Sequence, residues 1–422
     1  MIRKPRGTMD ILPEETLVWR FIENKIRKIT ELYGFGEIRT PLFEATELFR
    51  RGVGDTSDVV QKEMYTFTDR DERSLTLRPE GTASVVRALI ENGRCSDAMP
   101  LKLWYEINCF RYEKPQAGRS REFFQFGTEI FGAPSAAADV EIISLASALF
   151  NEIGIRNVEL HINSIGCPAC RGEYRKALVS YFEQYTDKLC DTCKGRLATN
   201  PLRLLDCKSP ICHEIALGAP KTIDYLCEDC RTHMDTLEAT LEAEGIDYKI
   251  DTGIVRGLDY YTKTVFEFIS PDIGAQSTIC GGGRYDGLVK ELGGPQLCAV
   301  GFGMGITRLI LAMKASGVEI PVEETCDIYI APMGGKAAEY AAGAVAAMRK
   351  NGISAQFDIV GRSLKAQMKY ADKIGAAYTL IVGDSELETG KAQLKNMKES
   401  TQSEIDINDI PAICEAIKKE GR

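Results

Sequence analysis

Apolar residues recur at helical spacing between Thr16 and Tyr33 (Leu17, Phe21, Ile22, Ile26, Ile29, Leu32), and Gly34 follows as a stop. The next segment, FGEIRTPLFE, alternates like a strand and carries Pro41. Two further strand patterns, LWYEINCFRYE and REFFQFGTEIFG, flank the loop KPQAGRS, whose proline, glycine and basic residues suit a long exposed turn. AADVEIISLASALFNEIG then predicts an amphipathic helix. A Cys-rich stretch at about 166–235 breaks the pattern and reads as an inserted subdomain. Strand-like sequence resumes at TVFEFIS, passes through CGGGRYDG and closes in a Gly-studded strand and helix, AVGFGMGITRLILAM.

Around 314–326 the chain changes character. DIYIAPM, SAQFDIV and YTLIVG read as strands, separated by the helical patterns AAEYAAGAVAAMRKNG and SLKAQMKYADKIGA. That alternation predicts a parallel or mixed sheet with helices packed on it. The pattern therefore predicts a first domain at 1–325, holding the insertion, and a second α/β domain at 326–422. No internal repeat or low-complexity tract interrupts either.

Composition narrows the function. The 422 residues are 44% hydrophobic and 27% charged, which is globular usage. The net charge of -9 excludes a generally basic nucleic-acid binder, although one local patch could still grip RNA. Residues 327–422 carry 13 basic and 13 acidic side chains, so the acidic excess belongs to the first domain. No secretory signal opens the chain, and its most apolar stretch is interrupted by Arg308, too short for a membrane span. A cytoplasmic protein with no membrane partner is expected.

Several common catalytic sites are missing: GxxxxGK[ST], G-x-S-x-G and HExxH do not occur. With only His161, His213 and His233 present, an enzyme of this sequence works by positioning and by arginine electrostatics. Arg111 ends an aromatic strand before a basic loop, Arg256 opens RGLDYYT, and Arg308 interrupts an apolar run. Such arginines offer forked donors for phosphate oxygens, but each alone serves equally as a buried ion pair or a rim charge. Glu80 in LRPEGT and Glu129 in FGTEIFG, each taken alone, read as a cap or a solvated charge.

Taken together these segments resemble the class II aminoacyl-tRNA synthetases. GFGEIRTPLFE resembles their motif 1, FRYEKPQAGRSREFFQFGTEIFG motif 2 and GFGMGITRLIL motif 3. LRPEGT, RGLDYYTKTVFEF and CGGGRYDGLV are tighter signatures of the histidine-specific branch, the histidyl-tRNA synthetases, and the similarity runs from PRGTMDILP to the end. Lys263 stands where many members carry a small residue. The resemblance implies an α+β catalytic domain built on an antiparallel sheet, followed by an α/β anticodon-binding domain. It implies a ligase that activates L-histidine with ATP and Mg²⁺ and passes it to tRNA(His), as a homodimer joined through motif 1. Arg111 would hold the α-phosphate, Arg308 the γ-phosphate, and Arg256 the reacting carboxylate and phosphate. Glu80, Thr82 and Gln125 would hold the substrate ammonium, and Glu129 and Tyr261 its imidazole nitrogens, with Tyr260 and Tyr285 lining the pocket and Gly81, Arg111 and Arg256 also in the histidine site. Gln116, Arg119 and Arg121 in the motif 2 loop would meet the tRNA acceptor end, where histidine tRNAs carry an extra 5′ guanosine.

In the second domain Arg362, Lys365, Lys369 and Lys373 are spaced to share one helix face, a stripe that suits tRNA phosphates beside this resemblance. A rival from another class is a non-catalytic, histidine-sensing regulatory subunit of ATP phosphoribosyltransferase on the same catalytic fold. Such regulators typically lack the second domain and an intact RGLDYYT, and this chain has both. The insertion pairs its cysteines as Cys167/Cys170, Cys190/Cys193, Cys207/Cys212 and Cys227/Cys230. In a reducing compartment that spacing suits up to two structural zinc sites; four packed pairs of reduced thiols are the alternative.

Overall fold

Trp19, Ile22, Ile26 and Ile29 line one face of a helix, Pro13–Leu32, and bury that face in the largest core of the protein. In the computed structural model that core lies against an eight-stranded sheet. Residues 2–54, 57–205, 207, 209–254, 258, 260–320 and 326–420 are described. They fall into two units, Met1–Ile320 and Pro321–Arg422. Among the described residues no helix is long and apolar enough to cross a membrane.

The sheet of the first unit comprises β1 (Gly36–Glu37), β2 (Leu101–Phe110), β3 (Glu122–Phe131), β4 (Glu159–Ser164), β5 (Tyr248–Ile250), β6 (Thr262–Ile269), β7 (Thr278–Arg284) and β8 (Ala299–Gly305). Their spatial order is β1-β2-β3-β8-β7-β6-β4-β5. All neighbours are antiparallel except the edge pairs β1/β2 and β4/β5. FGEIRTPLFE does not run as one strand. It supplies β1 and then Phe43–Ala45, which joins a separate three-stranded sheet with Tyr65–Thr68 and Ser74–Leu77. Pro41, lacking an N–H, stands between the two pieces.

The pleat of β2 sends neighbouring aromatics to opposite faces. Trp104 joins the large core, and Tyr105 joins a second core beneath the helix Thr82–Glu91. The helix Ala136–Ile153 is more deeply set than its sequence pattern implies, because the helices Pro13–Leu32 and Glu228–Ala243 both pack on it. Ser135 caps it by accepting the Ala137 N–H at 3.2 Å, and Gly154, at φ 92°, ends it. Lys263 in β6 has φ 52°, a left-handed conformation that glycine adopts without strain.

Between β4 and β5 the insertion contributes the helices Pro168–Glu183, Asp191–Thr199 and Pro210–Leu217 and the start of Glu228–Ala243. Its own core is small: Tyr174, Leu178, Phe182, Leu189, Leu204 and Ala219, together with the thiols of Cys193, Cys207 and Cys212.

The second unit is a sheet of β9 (Cys326–Pro332), β10 (Ala355–Phe357), β11 (Ala376–Val382), β12 (Lys391–Asn396) and β13 (Gln402–Asp406), in the order β10-β9-β11-β12-β13. The first three are parallel, as their alternation with the helices Gly335–Lys350 and Leu364–Lys373 requires. The two antiparallel strands β12 and β13 extend it beyond the β-α-β-α-β alternation.

Candidate active site

The floor of the site is the middle of the sheet, where β3, β8 and β7 run side by side with glycines in register. Gly301 pairs with Glu129 and Gly283, and Gly303 pairs with Gly127 and Gly281. A Cβ at Gly301 would overlap the Glu129 carboxylate, and one at Gly303 would overlap the Gln125 amide. The glycines clear space for these two polar side chains. Gly81 and Gly127 do the same for the ring of Tyr105.

Glu129 is fully buried. Its carboxyl accepts hydrogen bonds from Thr82 Oγ1 at 2.8 Å, Tyr105 Oη at 3.0 Å and Tyr285 Oη at 2.5 Å. Burial pushes its pKa up to about 8, against the pull of those three hydroxyls. Glu80, also buried, accepts the backbone N–H groups of Thr82 (2.7 Å) and Ala83 (2.8 Å). It therefore caps the helix Thr82–Glu91, and burial raises its pKa as well. Tyr260 packs edge-on to Tyr285 at 5.5 Å and lies 4.6 Å from the ring of Tyr261. Tyr105 carries no signal in the chain apart from its place opposite Gly127 in the β2–β3 register.

The arginines stand at a cavity of about 840 Å³ beside this cluster, lined among others by Arg111, Arg119, Gln125, Thr307 and Arg308. Arg111 donates Nε–H to the Pro79 carbonyl at 2.8 Å and stacks over Phe123 at 5.3 Å. Its terminal nitrogens make no hydrogen bond among the described residues, and Glu80 is the buried carboxylate that feels its charge. Arg308, at the start of the helix Ile306–Ala315, donates to the carbonyls of Gly118 (3.0 Å) and Thr278 (2.8 Å). Tyr261 instead lines a second cavity of about 340 Å³, together with Tyr174 and Leu202 of the insertion. Arg256 lies outside the described residues.

The loop KPQAGRS closes in a tight turn in which Gln116 and Arg119 exchange backbone hydrogen bonds at 3.0 and 2.9 Å. Gly118, at φ 71°, supplies the left-handed residue that turn needs. Arg119 is ion-paired with Glu113, and the Arg121 guanidinium lies 3.8 Å from the centre of the Tyr112 ring. Glu113 also lines the arginine cavity, a placement the sequence reading overlooked. In the second unit the four-cation stripe needs correction. Lys365, Lys369 and Lys373 are exposed on the helix Leu364–Lys373, but Arg362 precedes its cap, Ser363. There it pairs with Asp358 at 2.8 Å and stacks on Tyr370 at 4.3 Å.

The eight cysteines of the insertion gather into two groups, Cys167/Cys170/Cys227/Cys230 and Cys190/Cys193/Cys207/Cys212, each with its sulfurs within 4.8 Å of one another. All eight are free thiols. The sulfurs of Cys167 and Cys170 are 3.6 Å apart, those of Cys167 and Cys227 3.9 Å, and those of Cys190 and Cys207 3.9 Å. Tetrahedral zinc with Zn–S bonds of about 2.3 Å sets its sulfurs roughly 3.8 Å apart. Backbone N–H groups also point at two of the sulfurs, Cys227 to Cys170 (3.1 Å) and Cys190 to Cys212 (3.3 Å).

Comparison with known proteins places this geometry. The sequence profile for histidyl-tRNA synthetase matches residues 7–167 and 216–309, and that for an anticodon binding domain matches 327–417. Most of the Cys-rich insertion falls between the two matched stretches of the first profile. The histidine–tRNA ligase of Acetivibrio thermocellus is 55% identical over 97% of this chain and 98% of its own. The crystal structure of apo S. aureus histidyl-tRNA synthetase superposes with a TM-score of 0.85 at 40% identity, covering 99% of this chain and all of that one. A Bacillus halodurans protein described as an ATP phosphoribosyltransferase regulatory subunit/histidyl-tRNA synthetase shares the fold at 24% identity and a TM-score of 0.66, over 91% of this chain and 98% of its own.

Proposed function

The chain belongs to the histidyl-tRNA synthetase family and is a histidine–tRNA ligase, and from that premise we propose how its own residues perform the reaction. The substrate supplies its own nucleophile, since the carboxylate of histidine attacks the α-phosphorus of ATP. The protein must therefore align two anions and neutralise developing charge. Arg111 holds the α-phosphate, Arg308 the γ-phosphate, and Arg256 bridges the reacting carboxylate and phosphate. Glu80, Thr82 and Gln125 receive the ammonium, and Gly81, Tyr260 and Tyr285 wall the histidine pocket, whose imidazole Glu129 and Tyr261 read. The observation that carries this assignment is Arg111, held by the carbonyl of Pro79 next to Glu80 and directed to the cavity it shares with Arg308. Histidine- and ATP-dependent pyrophosphate exchange tests it; folded protein without exchange would sink the enzyme reading.

Glu129 gives the histidine site a pH signature. With a pKa of about 8 it is largely protonated at pH 7 and largely ionised at pH 9. An ionised acceptor binds an imidazole N–H more strongly than a neutral one. Glu129→Gln cannot ionise, so its histidine KM relative to the parent is expected to rise with pH. At pH 9 the ratio reaches about ten- to a hundredfold, the worth of one charge-assisted bond, and at pH 7 it is smaller. Histidine KM in pyrophosphate exchange at both pH values measures this, and titration of the substrate itself cancels in the ratio. A flat ratio removes Glu129 from the imidazole.

For tRNA, the turn at Gln116 projects from the strands that frame the ATP cavity. Gln116 offers a paired donor and acceptor for a base edge. Gln116→Ala is expected to cut charging of tRNA(His) roughly ten- to a hundredfold while adenylate formation holds. Arg121→Ala acts in the same direction and also loses the Tyr112 stack. The penalty shrinks on a tRNA lacking the extra 5′ guanosine. An unchanged ratio of normal to truncated tRNA would remove the loop from that base. Arg119 can join the contact on leaving Glu113. Lys365 and Lys369, with Arg362 at the base of their helix, meet tRNA phosphates.

The remaining components follow from the same chemistry. Glu113 and Glu267, both on the cavity wall, are the carboxylates that would hold Mg²⁺. The ion would supply positive charge against the phosphates. The exposed apolar side chains Leu42 and Phe43 within motif 1, and Phe67 on the same small sheet as Phe43, suit a homodimer interface. Fourteen free cysteines suit the reducing cytoplasm. Each four-cysteine group holds one structural zinc. Protein purified without chelator should carry about two zinc per chain, and less than about a tenth of an equivalent with the insertion folded would refute this.

A further inference from the structure

The two thiol groups do not occupy equivalent places. Leu205, Cys207, Pro210 and His213, which flank or belong to the Cys190/Cys193/Cys207/Cys212 group, line the same cavity as Arg111, Arg119 and Arg308. Of the described residues assigned to histidine, Arg111 and Gln125 line that cavity, while Glu80, Thr82, Glu129 and Tyr285 do not. The insertion is tied to the catalytic body here, since Arg196 and Arg203 both reach Asp58, at 2.9 and 3.2 Å. Yet the core behind this wall is thin, and three of its buried members are thiols of the group itself, Cys193, Cys207 and Cys212. So small a core does not hold a segment in place unaided, whereas a metal across four thiolates does.

We propose that the Cys190/Cys193/Cys207/Cys212 site is a positioning element for ATP: zinc bound there holds Leu205, Pro210 and His213 as a wall of the nucleotide cavity. This rests on the zinc reading above and goes beyond it, because it makes a structural metal outside the reacting groups a determinant of nucleotide affinity. Loss of the metal releases the wall. Contacts made equally to bound ATP and to its transition state disappear, so KM rises while kcat holds.

The test uses the full chain in pyrophosphate exchange, with zinc content measured on each preparation. Cys190→Ser/Cys212→Ser is expected to lose one of two zinc ions and raise the KM for ATP about tenfold, with kcat within about twofold and histidine KM moving less than about threefold. Cys212→His, which keeps a zinc ligand, retains both ions and a near-parental KM. Leu205→Ala/His213→Ala, which leaves every thiol in place and guards against misfolding of the serine variant, keeps both ions and raises the KM for ATP about fivefold. A parent with two zinc ions and a serine variant with one, but an unchanged KM for ATP or a larger change for histidine, overturns this proposal alone. A zinc-free parent overturns it together with the metal reading.

Discussion

Arg111→Ala is expected to lower kcat/KM for histidine-dependent pyrophosphate exchange a hundred- to a thousandfold, about 3–4 kcal/mol of transition-state stabilisation. The size follows from how the guanidinium is set. One donor is committed to the Pro79 carbonyl and one face to Phe123, so the group is oriented before substrate arrives. Such a preorganised donor costs no reorganisation as charge develops on the α-phosphate. Arg111→Lys keeps the charge but loses the tether, the stacking face and the fork, and is expected to recover less than about a tenth of the lost rate. Steady-state exchange kinetics, with folding checked by circular dichroism, measure both. If Arg111→Ala stays within about threefold of the parent, the arginine does not serve the transferred phosphate.

The same arginine shows how far the chain could be read. Its place at the end of an aromatic strand was legible, because β2 and β3 are long, apolar and joined by a loop with proline, glycine and charge. Its tether was not, since the contact between Arg111 and Pro79 joins residues 32 positions apart and leaves no periodic trace. The alternative readings of the carboxylates separate in the same way. Glu80 is a helix cap, as its sequence setting allows, and also follows the Pro79 carbonyl that tethers Arg111. Glu129 is neither a cap nor solvated; its burial depends on Gly301 in a strand far along the chain. In the second unit the apolar strands declared themselves, whereas β12 and β13 are polar outer strands whose pattern resembles a loop.

The opposed demands of the site explain its layout. Anionic phosphates need arginines that solvent and nucleotide can reach, and discrimination of a neutral imidazole needs polar groups that water cannot. One face of the sheet meets both: Gln125 and Glu129, four residues apart on β3, point to the same side, Gln125 at the open cavity that Arg308 also lines and Glu129 within the closed tyrosine cluster. The Pro79–Thr82 segment joins the two, holding Arg111 at one end and bonding Glu129 through Thr82 at the other.

Arg284→Ala is expected to destabilise the first unit by roughly 3–5 kcal/mol, the largest stability effect of any single change considered. Arg284 ends the CGGGR strand β7 with its side chain fully buried, as is that of Asp139 on the central helix Ala136–Ile153. Its guanidinium bonds the Asp139 carboxylate, the carbonyls of Ala133 and Ser135 (both 2.9 Å) and Asp286 at 3.3 Å. Burial works to raise the Asp139 pKa, but His233, whose Nε2 lies 3.5 Å from the carboxylate, and Arg284 outweigh it and hold the pKa below its ordinary value. A carboxyl depressed in the folded state contributes stability above its unfolded pKa and loses it as pH falls through the folded one. The parent should therefore weaken at acid pH more steeply than Asp139→Asn does. Removing the arginine leaves the buried carboxylate without its guanidinium partner and with His233 at 3.5 Å, whereas replacing both Arg284 and Asp139 by apolar groups leaves no buried charge of the pair. Arg284→Met/Asp139→Leu is expected to regain most of the stability lost by Arg284→Met alone. Urea denaturation followed by tryptophan fluorescence measures the parent and the four variants, since Trp19 and Trp104 both lie in the core of this unit. A loss below about 1 kcal/mol for Arg284→Ala, or a double variant weaker than the single, would show that the pair does not hold β7 to the helix.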